Sequence, residues 1–212
     1  MMGLMSMKRL IILLVLALAA GRPLSAQISA GAGYLNTRVT AEMDNGSGQG
    51  FYAGLSYRIP LAGAFSLLPG VYFTKTEEST GWFQVDDMIL PGESVVEKAL
   101  VVPLYVLWGI DLPWDIRAFL FAGPSIQYGL SCVQESGERN LPDTNYYKKG
   151  ILHAHQRWNV LAGGGAGLSF PTKSPQRVFL TAGWDYGLVN LYENTYDVSH
   201  RSLWKAGVGI EF

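Results

Sequence analysis

Residues 177–190 read RVFLTAGWDYGLVN, and the alternation in this stretch decides the fold. Val178, Leu180, Ala182, Trp184, Tyr186 and Leu188 fall on one side. Arg177, Thr181, Gly183, Asp185, Gly187 and Asn190 fall on or near the other, with some drift at the end. Successive side chains of a β-strand point to opposite faces, so this is a strand with one greasy wall and one small or polar wall.

The same design recurs along the chain. Trp158, Val160, Ala162, Ala166, Leu168 and Phe170 oppose Arg157, Asn159, Gly163, Gly165, Gly167 and Ser169. Ala118, Leu120, Ala122, Ile126 and Tyr128 oppose Arg117, Gly123, Ser125 and Gln127. Phe51, Ala53, Leu55, Tyr57 and Ile59 oppose Tyr52, Gly54, Ser56 and Arg58. Three fainter candidates are the small, Gly-rich 28–37, the alternating 65–74 and the nearly all-apolar 96–108, where Pro103 leaves the facing ambiguous. The pattern predicts eight strands at about 28–38, 49–59, 65–76, 96–109, 116–130, 155–170, 177–190 and 199–212.

The connections alternate in length. Those at 60–64, 111–115 and 171–176 are short and rich in turn residues. Those at about 39–48, 77–95, 131–154 and 191–198 are longer and polar, and carry Glu77, Glu78, Asp86, Asp87, Glu93, Glu135, Glu138, Asp143, Glu193 and Asp197. Outer-membrane barrels have short periplasmic turns and longer external loops. With both termini inside, eight strands require three of the first and four of the second, which is the pattern here.

The two ends of the chain agree with export. Met7-Lys8-Arg9, the apolar run Leu10 to Ala20, the helix-breaking Gly21-Arg22-Pro23 and the small residues before Gln27 read as a signal peptide over 1–26, with a barrel domain over 27–212. The apolar run is shorter than the roughly 20 residues of a membrane-spanning helix, and no stretch of 18 apolar residues follows. Only a closed barrel then remains as a membrane-spanning form, because lipid offers no partners to open backbone groups. At the other end Trp204, Ala206, Val208, Ile210 and Phe212 share a face. A terminal aromatic closing an alternating strand resembles the signal by which barrel-assembly machinery recognises its clients, here carried by Trp204, Val208, Ile210 and Phe212.

Composition narrows the function. Without Lys8, Arg9 and Arg22 the mature chain is modestly acidic, which argues against a nucleic-acid partner. The single cysteine, Cys132, cannot form an intramolecular disulfide, so stability has to come from burial and backbone pairing.

Nearly the whole mature chain resembles the PorT-like outer-membrane β-barrel domain family, among the OmpA/OmpX-like eight-stranded barrels. The resemblance is carried by FYAGLSYRIPLAGAFSLLPGVYFTKT (51–76), ALVVPLYVLWGID (99–111), IRAFLFAGPSIQYGL (116–130), WNVLAGGGAGLSF (158–170), FLTAGWDYGLVNL (179–191) and SLWKAGVGIEF (202–212). Its more specific features are the proline in the fourth strand and the Ala-Gly-Pro of the fifth. It implies an eight-stranded antiparallel up-and-down transmembrane barrel in the bacterial outer membrane. It implies no catalytic motif, and the secretion role behind the family's name does not transfer on fold alone.

An eight-stranded barrel is just wide enough to be filled by its own side chains. Arg58, Arg117, Arg157, Asp185, Lys205 and Glu211 fall on the inward face among glycines, and buried charges must be paired. The expectation is a salt-bridge network that plugs the lumen. Other motifs are weaker. Gly163 to Gly167 lies within continuous strand pattern, unlike a phosphate-cradling loop at a helix start. His153 and His155 lack the cysteine or acidic partner of a usual metal site. Ser199-His200-Arg201-Ser202 puts neighbours on opposite sides of a strand, so His200 is poorly placed to activate either serine. No cofactor, metal or catalytic residue is therefore expected. The six tryptophans fall mostly near proposed strand ends, as interfacial girdles do. The reading is a structural or interaction barrel in contact with membrane lipid, meeting envelope or extracellular proteins through its loops. A transport or secretion accessory, a lipid hydrolase and a lipocalin-like carrier are the alternatives.

Overall fold

A computed structural model describes residues 27–40, 45–79, 83–85, 88–90, 94–136, 147–150, 157–189 and 200–212. The expected leader, Trp82, His153 and His155 lie outside them. Eight long strands make up the wall: β1 (Gln27–Thr40), β2 (Asn45–Pro60), β3 (Phe65–Ser79), β4 (Ser94–Asp111), β5 (Arg117–Ser136), β6 (Trp158–Pro171), β7 (Arg177–Gly187) and β8 (His200–Glu211). Every sequential neighbour pairs antiparallel, and β1 pairs with β8, so the sheet closes on itself. Closure satisfies the backbone groups of every strand inside the wall, as lipid demands. Beyond the wall, Phe83–Val85 and Met88–Leu90 form a small hairpin, and Tyr147–Gly150 pairs with the far end of β5.

The register fixes the bore. Followed round the wall it runs Glu135, Ser94, Ser79, Ser47, Arg38, Ser202, Tyr186, Ala162 and Pro124, returning to β5 eleven residues nearer its start. One of those residues is Leu130, skipped where the pairing shifts between Lys98↔Ser131 and Ala99↔Gly129. Such a stagger over eight strands tilts them by roughly 40° and leaves an interior of side-chain width.

The two faces of the wall are the reverse of a water-soluble protein. Leu55, Val71, Leu120, Leu180 and Val208 stand outward and half exposed, whereas Arg201 and Glu97 are only 1% and 3% exposed. Inside, glycines accept aromatics from neighbouring strands. A side chain at Gly209 would collide with the ring of Phe179, and one at Gly163 with the carboxylate of Asp185. Outside, Tyr34, Phe51, Phe73, Tyr128, Trp158, Trp184, Tyr186 and Trp204 gather toward the long-loop end. Several touch, as in Tyr128–Trp158 at 4.6 Å and Phe51–Phe73 at 6.3 Å between centroids. Phe65, Trp108 and Phe212 sit at the short-turn end.

Three readings change. The fourth strand has a definite facing, with Pro103, Tyr105 and Leu107 inward and buried and Val102, Leu104, Val106 and Trp108 outward. Its inner wall is as apolar as its outer one, so alternation in polarity was absent. β3 runs on to Ser79, so Glu77 and Glu78 belong to a strand and not to a loop. β5 likewise continues to Ser136 and takes in Glu135.

Candidate functional site

The polar side chains of the interior fall into layers. At the long-loop end Arg201 of β8 reaches across the bore. Its Nε lies 2.8 Å from Glu78 Oε1 of β3, its Nη2 donates to Glu78 Oε2 at 3.0 Å, and its Nη1 donates to Glu97 of β4. Gln127 of β5 adds a hydrogen bond from Nε2 to Glu97 Oε1 at 2.8 Å. The guanidinium thereby ties three strands, and Gln127 joins a fourth through Glu97. Cys132 is buried directly across from Glu97 in the register.

The middle layer centres on Lys205 of β8. Its Nζ donates to Asp185 Oδ2 at 2.7 Å and to the Tyr105 hydroxyl at 2.8 Å, and Tyr105 donates to Asp185 Oδ1 at 3.1 Å. The ammonium also lies over the Tyr105 ring, 4.8 Å from its centroid, so its charge meets a carboxylate and a π face together. Below come Phe119, Phe121, Leu68 and Leu107, a small apolar cluster inside the bore.

The short-turn end carries the third layer. Arg58 Nη1 lies 3.4 Å from Glu211 Oε1 and its Nε donates to Ser66. Further out, Arg117 donates to Asp111 at 2.7 Å, with the Asp111 side chain 69% exposed. That hydrogen bond, and the charge behind it, hold the Asp111 carboxyl below the usual aspartate range. Arg177 donates from Nη1 to Asp115 Oδ2 at 3.0 Å and also to the Asp115 carbonyl, latching the turn between β4 and β5. In that turn Trp114 and Asp115 both take left-handed backbone angles, φ 63° and 56°. Residues without glycine's freedom hold such angles only when their surroundings enforce them.

The residues expected in the lumen are therefore not all brought together. Arg58 meets Glu211 and Asp185 meets Lys205 in the interior. Arg117 pairs at the rim. Arg157 is exposed at the mouth, because β6 begins one residue later at Trp158. Gln127 lies inside on the polar face that alternation gave it, whereas Arg201, Glu78, Glu97 and Tyr105 belong to the interior without having been placed there by the sequence reading. Parity would have found Arg201, which shares the face of Lys205 and Glu211. An open space of about 130 Å³ remains inside the bore, lined from Arg58 and Glu211 to Arg201. At roughly 10–15 Å³ for each water it has room for on the order of ten.

Of the motif around His200, Ser199 lies outside the described residues, and His200 and Ser202 each meet a backbone carbonyl. The His200 Nδ1 lies 3.1 Å from the Gly187 carbonyl of β7, and the Ser202 hydroxyl points to the Arg38 carbonyl at 3.4 Å. At the chain's end Trp204, Val208 and Phe212 stand outward and exposed, with Ile210 part-exposed beside them.

A closed antiparallel barrel with an apolar exterior and a charged interior defines an outer-membrane barrel. The chain matches the family described as outer membrane protein beta-barrel domain over residues 19–193 and belongs to that family. It resides in the bacterial outer membrane. No match is found among curated proteins. Similar solved structures include Neisserial surface protein A, at 14% identity over 87% of this chain and 97% of that one, TM-score 0.47. The attachment invasion locus protein Ail of Yersinia pestis, in complex with the heparin analogue sucrose octasulfate, is 14% identical over 88% and 99%, TM-score 0.44. The N-terminal barrel domain of Pseudomonas aeruginosa OprF is 12% identical over 86% and 97%, TM-score 0.26.

Proposed function

We propose that this protein is a sealed, non-catalytic barrel whose interior serves as its structural core, and that it acts through the segments beyond the long-loop end. The observation that carries this reading is the interior itself, where Arg201 pairs across the bore with Glu78 and Glu97, Lys205 pairs with Asp185 of the neighbouring strand, and about 130 Å³ of open space is left. With the bore occupied, the parts free to meet another molecule are the outer wall and the external segments. The extension of β3, β4 and β5, with Tyr147–Gly150 added at the edge of β5, gives those segments a β-sheet base. Removal of residues 1–26 on export, a C-terminal assembly signal in Trp204, Val208, Ile210 and Phe212, and a finer placement among PorT-like barrels belong to the same proposal.

Planar-bilayer recording of the purified protein tests it. The expected trace shows no steady conductance, whereas reproducible unitary steps would replace the sealed barrel with a transport barrel. A deacylation assay on outer-membrane lipids, comparing the protein with His200→Ala, addresses the hydrolase alternative. Turnover lost in the variant would favour an enzyme.

A further inference from the structure

On the outer wall Lys75 of β3 and Lys98 of β4 stand directly opposite one another in the register. Both side chains lie on the lipid-facing side, part-exposed and exposed respectively. Like charges directly opposite across strands destabilise a sheet. Among the described residues neither lysine has an ion pair, and the same is true of Arg38, exposed on the same side at the upper end of β1. Glu77 is the one described acid on this face beside the pair. It lies two residues beyond Lys75 and diagonal to Lys98, and makes no ion pair with either.

The height of the pair on the wall points to its partner. Two residues toward the membrane centre the outward positions are Phe73 and Leu100, themselves directly paired, so the surface passes from apolar to cationic within one step. Phe73 belongs to the upper aromatic ring, which marks the membrane interface. The next layer outward is where lipid headgroups lie. Gln49 and Arg38 continue the polar strip across β2 and β1, with Gln49 held by the Tyr34 hydroxyl at 3.2 Å. On β5 to β7 the wall is apolar at this level, with Leu130, Trp158 and Leu188 exposed. Among the described residues the cationic strip lies on the β1 to β4 side of the barrel.

We infer that Lys75 and Lys98, supported by Arg38, bind a phosphate group of the outer leaflet's phosphorylated glycolipid. An anion between the two ammonium groups turns a repulsive pair into a bridged one. A headgroup phosphate fits because it is delivered at the height where the lysines stand. The inference depends on the membrane placement of the barrel and not on the interaction role proposed above.

The test uses the folded full barrel and the variant Lys75→Gln/Lys98→Gln, with diphosphorylated lipid A as probe. By native mass spectrometry from neutral detergent, wild type retains lipid A and the double variant retains it at least tenfold less, while millimolar inorganic phosphate does not displace it. Equal retention overturns the inference. Displacement by inorganic phosphate assigns the lysines to a free anion, and tighter lysine-dependent binding of a heparin fragment assigns them to a soluble polyanion. Either outcome overturns the lipid assignment. A second reading is a reversal of sign. In vesicles of an uncharged, phosphate-free glycolipid Lys98→Gln unfolds at higher urea than wild type, because repulsion is relieved. In vesicles containing lipid A wild type unfolds at the higher urea. An order unchanged between the two membranes contradicts the site.

Discussion

The two ends of the bore use the same chemistry under opposite conditions. At the long-loop end the Arg201 side chain is 1% exposed and its two carboxylate partners are 10% and 4% exposed. At the short-turn rim Asp111 and Asp115 are each 69% exposed against Arg117 and Arg177. Distances do not separate these pairs, since 2.8 Å is found at one end and 2.7 Å at the other. Solvent does. An exposed pair trades water for a partner at little gain, whereas breaking a buried one leaves a charge that nothing solvates. The upper layer should therefore hold the barrel together, and the rim should hardly matter.

Arg201→Ala is the sharpest way to break that contrast. It strands Glu78 and Glu97 in the bore, and a loss of about 3–5 kcal/mol in vesicle unfolding is expected. A loss under about 1 kcal/mol would mean that water reaches the layer freely. Val160→Arg comes next, placing a charge on the lipid side of β6 one outward position below Trp158 of the interfacial ring, at roughly 1–2 kcal/mol. The inward control is Asn159→Ser, one residue away and too small to crowd the filled bore; it should be less damaging, and equal effects would contradict the strand facing. Asp111→Asn is the smallest, below about 1 kcal/mol. Because Arg117 depresses the Asp111 pKa, that contribution is present above aspartate's unfolded pKa and fades as pH falls through the folded one. Wild type and Asp111→Asn should therefore converge in acid, and a gap that widens there would contradict the assignment.

Where the inner wall is mostly polar or glycine and the outer wall apolar, as in β2, β6 and β7, alternation alone set the facing, although Leu161 and Phe179 also point inward. In β4 that contrast vanishes, since Tyr105 and Leu107 fill the bore as greasily as Val106 and Trp108 meet lipid. Glu78 looked like a loop acid because strands run past the membrane, and a carboxylate near a strand's end carries no local mark of the arginine 123 residues away that neutralises it. Arg201 sits in Ser-His-Arg-Ser at the very start of β8, where too little alternating sequence precedes it to mark its face. Arg157 failed in the opposite sense, because its parity was right but the strand begins beyond it. The aromatic ends were legible, since interfacial residues are specified by position along a strand and not by a partner.

The most direct test asks whether the charges of the upper layer matter as a set. Unfolding in lipid vesicles would be compared for wild type, Arg201→Met, and Arg201→Met combined with Glu78→Gln and Glu97→Gln. Neutralising all three should recover at least about 2 kcal/mol of what the single change loses, because no uncompensated carboxylate remains. If the triple variant is instead less stable than the single one, with each substitution adding its own loss, the bore is not held by mutual compensation of buried charge.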